Sequence, residues 1–368
     1  MKTRTILFLC ALAVLALVAV QPAQAVTYTW TQTAGVPYNW DNSGAEDNWG
    51  TGAGGAFPNA LDDTANVNID LVGNQTINLN QAITIGTLNM GDTSGAQTLT
   101  IAPNGGSLTF DVASGNAALT KVWGCTGADT ISSGIILNDN LNITNNANAG
   151  LTISGGVTGT ADLTLRSNPA NRVANGGPGN TGITLSTTAV NNSGRIINAG
   201  TGGGGVGISA AIGSNVTEIR QDSNTSQLSI TGGITVNAAG TTLTSNGFQA
   251  FLVSSGAIGG AGNLVINNNS LYASSRNSAY DGSYVPNGIA IGAGVNNTGT
   301  ITNSGTGAAM TQISGVIGAN VTDVIQNSAG SNLLLFGATN AYTGSTQINA
   351  GILGVGNAGA LRACNEIT

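Results

Sequence analysis

From about residue 64 onward, apolar positions alternate with Thr, Asn, Ser or Gln in runs of three to five residues. Asn66-Val67-Asn68-Ile69-Asp70, Thr76-Ile77-Asn78-Leu79-Asn80 and Ile83-Thr84-Ile85 set the pattern. Thr98-Leu99-Thr100-Ile101, Leu163-Thr164-Leu165, Gln227-Leu228-Ser229-Ile230 and Gln347-Ile348-Asn349 continue it. A period of two sends alternate side chains to opposite sides of an extended chain, so these runs predict strands with one dry face and one wet face. Gly, Asn, Asp or Ser interrupts every few residues, and no helical period shows. Strands this short are stable only beside neighbours.

The pattern also recurs at long range. A shift of 105 residues carries Asn191-Asn192-Ser193-Gly194 onto Asn296-Asn297-Thr298-Gly299. It carries Asn215-Val216-Thr217-Glu218-Ile219 onto Asn320-Val321-Thr322-Asp323-Val324, and Ile212-Gly213 onto Ile317-Gly318. Two tandem units follow, about 154–253 and 255–361. Units built of many short strands with few aromatics fit the coils of a solenoid better than a β-sandwich. The expected fold is an all-β parallel β-helix, each coil of roughly 20 residues stacked about 4.8 Å above the last. Val, Ile, Leu and Ala would fill its core, and Gly and Asn its corners. Asn145-Asn146, Asn191-Asn192, Asn267-Asn268-Asn269 and Asn296-Asn297 are expected at corners, stacked in ladders.

The first 65 residues depart from this pattern. Lys2 and Arg4 precede an apolar run from Ile6 to Val20, followed by Ala23-Gln24-Ala25. This is the layout of a cleaved secretory signal peptide over 1–25, and the run is shorter than the roughly 20 residues a spanning helix needs. The mature chain would begin at Val26 with no membrane span. Residues 26–65 hold Trp30, Trp40 and Trp49 with Tyr28, Tyr38 and Phe57. They predict an aromatic cap over the open end of the solenoid at 66–368. A flat aromatic platform for sugars is the sharper alternative. Asp41, Glu46, Asp47, Asp62 and Asp63 lie in the same stretch, but their spacing is not that of a calcium loop.

Composition narrows the chemistry. The 368 residues include 56 Gly and no His, and 7% are charged, with a formal net charge of −7. Lack of His excludes a Ser-His-Asp triad and histidine metal ligands. Nine Lys and Arg residues leave no basic patch for nucleic acid. The best enzyme-like group is Glu218, Arg220 and Asp222, alternate residues on one face of a strand. Cα atoms four apart in a strand lie about 13 Å apart, whereas glycosidase carboxyls lie about 5.5–9.5 Å apart. Lys121 is the single lysine beyond the leader, with no acid assigned beside it. Cys125 and Cys364 would lie about 55 Å apart along such a stack, against about 7 Å for a disulfide. No catalytic, cofactor-binding or metal-binding residue is therefore assigned, and no cofactor is expected. Thr298-Gly299-Thr300-Ile301-Thr302 hints at an ice-binding face, which would need a regular Thr-x-Thr ladder over several coils.

Residues 331–361 carry a specific motif. Leu333, Leu335, Gly337, Asn340, Tyr342, Gly344, Thr346, Ile348, Gly351 and Leu353 stand in the order of the autotransporter-associated β-strand repeat of bacterial passenger-type proteins, which this segment resembles. Ala341 departs from it, since the family usually has Thr before the Tyr. The resemblance implies a right-handed parallel β-helix on an exported, surface-type protein with no enzymatic activity. The expectation is a secreted or cell-surface adhesin-like structural solenoid, its partners surface glycans or neighbouring cell-surface proteins, and its sequence the front of a longer surface protein. The alternative is an extracellular carbohydrate-active enzyme or glycan-binding protein on the same fold.

Overall fold

A computed structural model describes residues 25–43, 45–169, 182–271, 288–361 and 366–368, with the backbone of two further short strands, Arg276–Asn277 and Tyr284–Val285. Residues 1–24 of the proposed leader over 1–25, and Cys364, lie outside the described residues. The chain winds as an all-β solenoid of about 12 turns, with no helix among the described residues. Each turn lays one strand on a first face, bends at a first corner, lays a second strand on a second face, and returns through a short third face. The first face holds 14 strands, from Thr27–Thr29 to Glu366–Ile367, and the second holds 13, from Pro37–Asn39 to Leu353–Val355. The third face is more broken. Ile83–Ile85, Leu108–Phe110, Ile135–Leu137 and Val157–Gly159 pair in sequence, and later turns touch through the pair Ile234–Val236 and Ile258–Gly260 and through single bridges at Val190, Ile212, Val295 and Ile317.

Pairing between turns is parallel throughout these faces, and among the described residues the one antiparallel pair is the small 276–277/284–285 hairpin. Leu141 sits between Ala117 below and Leu163 above. Equivalent positions recur 22 to 24 residues apart in many turns, and up to 39 apart in the longest, mostly longer than expected. Six of the seven runs fall on strands; of the first only Asn66-Val67 does, at the end of Thr64–Val67, and Ile348 of the last is 40% exposed rather than buried.

The alternation does what its period demands. On the second face, Ile77, Ile101, Ile131, Ile153, Leu185 and Ile208 stack in register, and the column continues to Leu335. All of them are buried. Each side chain of this size contributes about 1.5–3 kcal/mol when fully removed from water. Parallel stacking makes one continuous core from turns that could not stand alone. The ladder runs without a break where the two sequence units meet, Leu252 pairing with Ser229 on one side and Ala290 on the other.

Corner chemistry follows from close approach. Gly159 and Gly260 close third-face strands with φ of 109° and 101°. A Cβ at either position would also press on the backbone of the turn below, at Leu137 or Val236. At the N-terminal end, Trp30, Trp40 and Trp49 are buried and belong to the same core as the strands. Their rings meet edge to face, with centroids 5.0 Å apart for both Trp30–Trp49 and Trp40–Trp49.

Candidate functional site

The strand that opens each turn ends on an inward position just before the first corner, and in most turns that position is polar. Lys121, Asn145, Ser167, Asn198, Gln221, Ser245, Asn268, Asn303 and Gln326 occupy it, all fully buried. A corner turns backbone carbonyls inward, and the Lys, Asn and Gln side chains supply donors for them, whereas the Ser167 and Ser245 hydroxyls find no partner among the described residues. Asn198 Nδ2 donates to Gln221 Oε1 at 2.7 Å and to the Ser226 carbonyl at 2.9 Å. Asn303 Nδ2 makes the same two bonds, to Gln326 Oε1 at 2.7 Å and the Ser331 carbonyl at 2.8 Å. The residues that repeat at a spacing of 105 thus perform the same local task.

Lys121 is the charged member of this column. Its Nζ lies 2.8 Å from Asp129 Oδ2, with both side chains fully buried. It also donates to the carbonyls of Gly127 at 2.5 Å and Gly150 at 3.1 Å. Asp129 opens the second-face strand Asp129–Ile131, and its other oxygen accepts the Leu99 N–H at 2.8 Å. Cys125 Sγ lies beside them in the corner, 3.6 Å from Asp129 Oδ2 and 3.2 Å from the Gly127 oxygen. Burial pushes the Asp129 carboxyl up, and the charge and hydrogen bond of Lys121 pull the other way without cancelling it. Burial and the Asp129 charge push the Cys125 thiol up as well. An amine, a carboxyl and a thiol therefore share a dry pocket at one corner. Sequence reasoning singled out Lys121 and Cys125 but not their juxtaposition with Asp129. One signal was available: Ala117, Leu119 and Lys121 share a parity, which points the lysine into the core.

The outer acids are engaged locally. Glu218 and Arg220 point outward from one strand, as their alternation predicts. Arg220 pairs with Asp222 at 2.7 Å, while Glu218 accepts the Thr244 hydroxyl at 2.6 Å. Arg195, in register with Glu218, is held by Asp162 at 2.6 Å. Burial raises the Asp162 carboxyl, but the hydrogen bonds and charge of Arg195 outweigh it and hold it below its ordinary range. In the second unit Asp323 accepts Ser345 at 2.6 Å, which lowers its pKa. The N-terminal acids bond backbone amides: Asp63 takes Val26 and Asn59, Asp47 takes Thr51, and Asp62 takes Ala113. Among the described residues no three His, Cys, Asp or Glu side chains converge as a metal site.

The expected asparagine ladders form only in part. Asn168 donates to Asn146 at 2.9 Å and Asn269 to Asn246 at 3.0 Å, but Asn192 and Asn297 instead bind the carbonyls of Ala161 and Gly262. The buried tryptophans offer no aromatic platform. The regular outward hydroxyl file lies elsewhere, on the second face, where Thr76, Thr100, Thr130, Thr152 and Thr184 stack in register over five successive turns. Its neighbouring file is Asn78, Ala102, Ser132, Ser154 and Ser186, so the Thr-x-Thr array is not formed. Val72, Trp123, Phe248 and Leu271 stand exposed along the first corner.

Comparisons of the chain with protein-family models, curated proteins and solved structures give no match.

Proposed function

We propose that the chain is an exported bacterial rod at or outside the cell surface, non-catalytic, whose faces engage surface glycans or neighbouring surface proteins. The observation that carries the reading is the uninterrupted parallel ladder of about 12 turns. Such a stack is a quasi-one-dimensional body whose sides are available along its whole length. The second-face file of threonines sets hydroxyls about 4.8 Å apart, a repeating donor and acceptor surface suited to polyhydroxylated sugars. The outer acids support a structural rather than catalytic role, because the ion pairs and amide caps already occupy them. The motif at 331–361 supports the surface setting. Export has a local support too. Val26 N lies 3.1 Å from Asp63 Oδ1, so cleavage after Ala25 would place a new ammonium against a carboxylate.

The test is fractionation of the native cells and medium with an antibody against the folded chain, followed by N-terminal sequencing of the recovered protein. Export predicts protein in the medium or on the surface with Val26 as its first residue. Cytosolic protein that retains Met1 would sink the reading.

A further inference from the structure

We propose that Lys121 and Asp129 condense into an isopeptide cross-link that closes the first corner of their turn. The inference stands apart from the export and surface reading above. It rests on how the atoms of the pocket are arranged, and each has a place in the reaction.

Lys121 Nζ lies 2.8 Å from Asp129 Oδ2, one bond from the Cγ it would attack. Proton transfer within the pair, from ammonium to Oδ2, gives a neutral amine against a neutral acid. The amine lone pair then forms the Nζ–Cγ bond, and the carbonyl electron pair moves onto Oδ1. The Leu99 N–H, 2.8 Å from Oδ1, stabilises the charge that develops there. Collapse breaks the Cγ–Oδ2 bond. Oδ2 leaves as water with its own proton and one from the amine, passed through the Cys125 thiol 3.6 Å away. Nothing is oxidised or reduced, and no co-reactant is needed.

The surroundings favour the product. Burial pushes the Asp129 carboxyl and the Cys125 thiol up, in the direction of the neutral forms the step uses. Both partners are fully buried, so the pocket excludes the water that would reverse the step. Two buried charges carry a heavy desolvation penalty, and a neutral amide removes both. No carbonyl is orphaned. The new amide N–H can keep the Gly127 carbonyl, which also accepts Cys125 Sγ at 3.2 Å, while the Gly150 carbonyl keeps the Asp129 N–H at 3.0 Å. The bond would tie the strand Ala117–Lys121 on the first face to Asp129–Ile131 on the second. It would thereby fix the corner that holds Trp123, 78% exposed, out in solvent.

The test is the mass of the purified full chain after denaturation, with tryptic mapping. The expected result is a mass about 18 Da below that required by its sequence and N-terminus, one water lost. Trypsin would fail to cut after Lys121, and fragment spectra would join residues 121 and 129. The Lys121→Arg variant, which keeps a cation but cannot condense, should show its full mass. Cys125→Ser should slow the loss of mass several-fold in freshly folded protein. Full mass with normal cleavage after Lys121 would mean a persistent ion pair and overturn the proposal. A loss of about 18 Da with cleavage after Lys121 retained would place the dehydration elsewhere and overturn it equally.

Discussion

At the scale of single residues, the inward polar column explains a feature that composition alone makes puzzling. A chain this poor in charge still buries Asn, Gln, Ser and one Lys in its core. Each sits at or beside the end of a first-face strand, where the Lys, Asn and Gln members reach corner carbonyls. Asn198 and Asn303 are the clearest pair, since they make matching bonds in turns 105 residues apart. Asn198→Ala and Asn303→Ala should each destabilise by about 1–3 kcal/mol, because each leaves a buried Gln oxygen without its Asn donor, while the corner carbonyl keeps only its bond from the Gln amide. Urea denaturation of both variants checks this. A large loss at one position and none at the other would contradict the shared role. The inward pointing of Lys121 is legible from parity, and Asn198 and Asn303 are legible as members of a repeat. The acid that meets Lys121 is not legible. Asp129 lies across a corner whose path no local pattern fixes.

At the scale of elements, strand positions are read well and corners badly. A strand announces itself by side-chain alternation, which is local. A corner is set by how close two successive turns must come, which is not. Gly315 and Gly259 look alike in sequence, each a glycine at or near the edge of a short apolar run. A Cβ on Gly315 would collide with the Ala293 carbonyl one turn below, whereas one on Gly259 meets nothing within 4 Å. Gly315→Ala should therefore cost about 1–3 kcal/mol as the turns are forced apart. Gly259→Ala should stay within about 0.5 kcal/mol of the parent. Thermal melts of the two variants distinguish the cases, and equal melting points would refute the argument from close approach.

At the scale of the whole molecule, the solenoid is additive. Each turn contacts the turns next to it, so stability is close to a sum over turns and their interfaces. Removing Leu141–Asp162 deletes one complete turn and brings Leu163 into register above Ala117. That variant should fold as a shorter solenoid with a strand-rich circular dichroism spectrum, at the expense of the Asp162–Arg195 pair. Its denaturant slope should fall by about one part in twelve, since the slope follows the surface exposed on unfolding. Removing only Leu141–Leu151, half a turn, puts first-face residues against second-face ones and should abolish cooperative unfolding. If the half-turn deletion also melted cooperatively, register would not be the organising constraint.

What the sequence by itself determined is the part that repeats. A period of two sets which side chains point inward, the 105-residue recurrence makes the chain a stack, and the scarcity of charge keeps like charges from stacking rung on rung. These are properties of neighbours along the chain, or of one turn compared with the next. The tertiary structure alone decided which side chains meet across a corner. It brought Lys121, Cys125 and Asp129 into one dry pocket, placed the threonine file on the second face, and turned the tryptophans inward. The physical reason is that a corner's path depends on the packing of the turns above and below it. A contact across that corner becomes fixed only when they are in place.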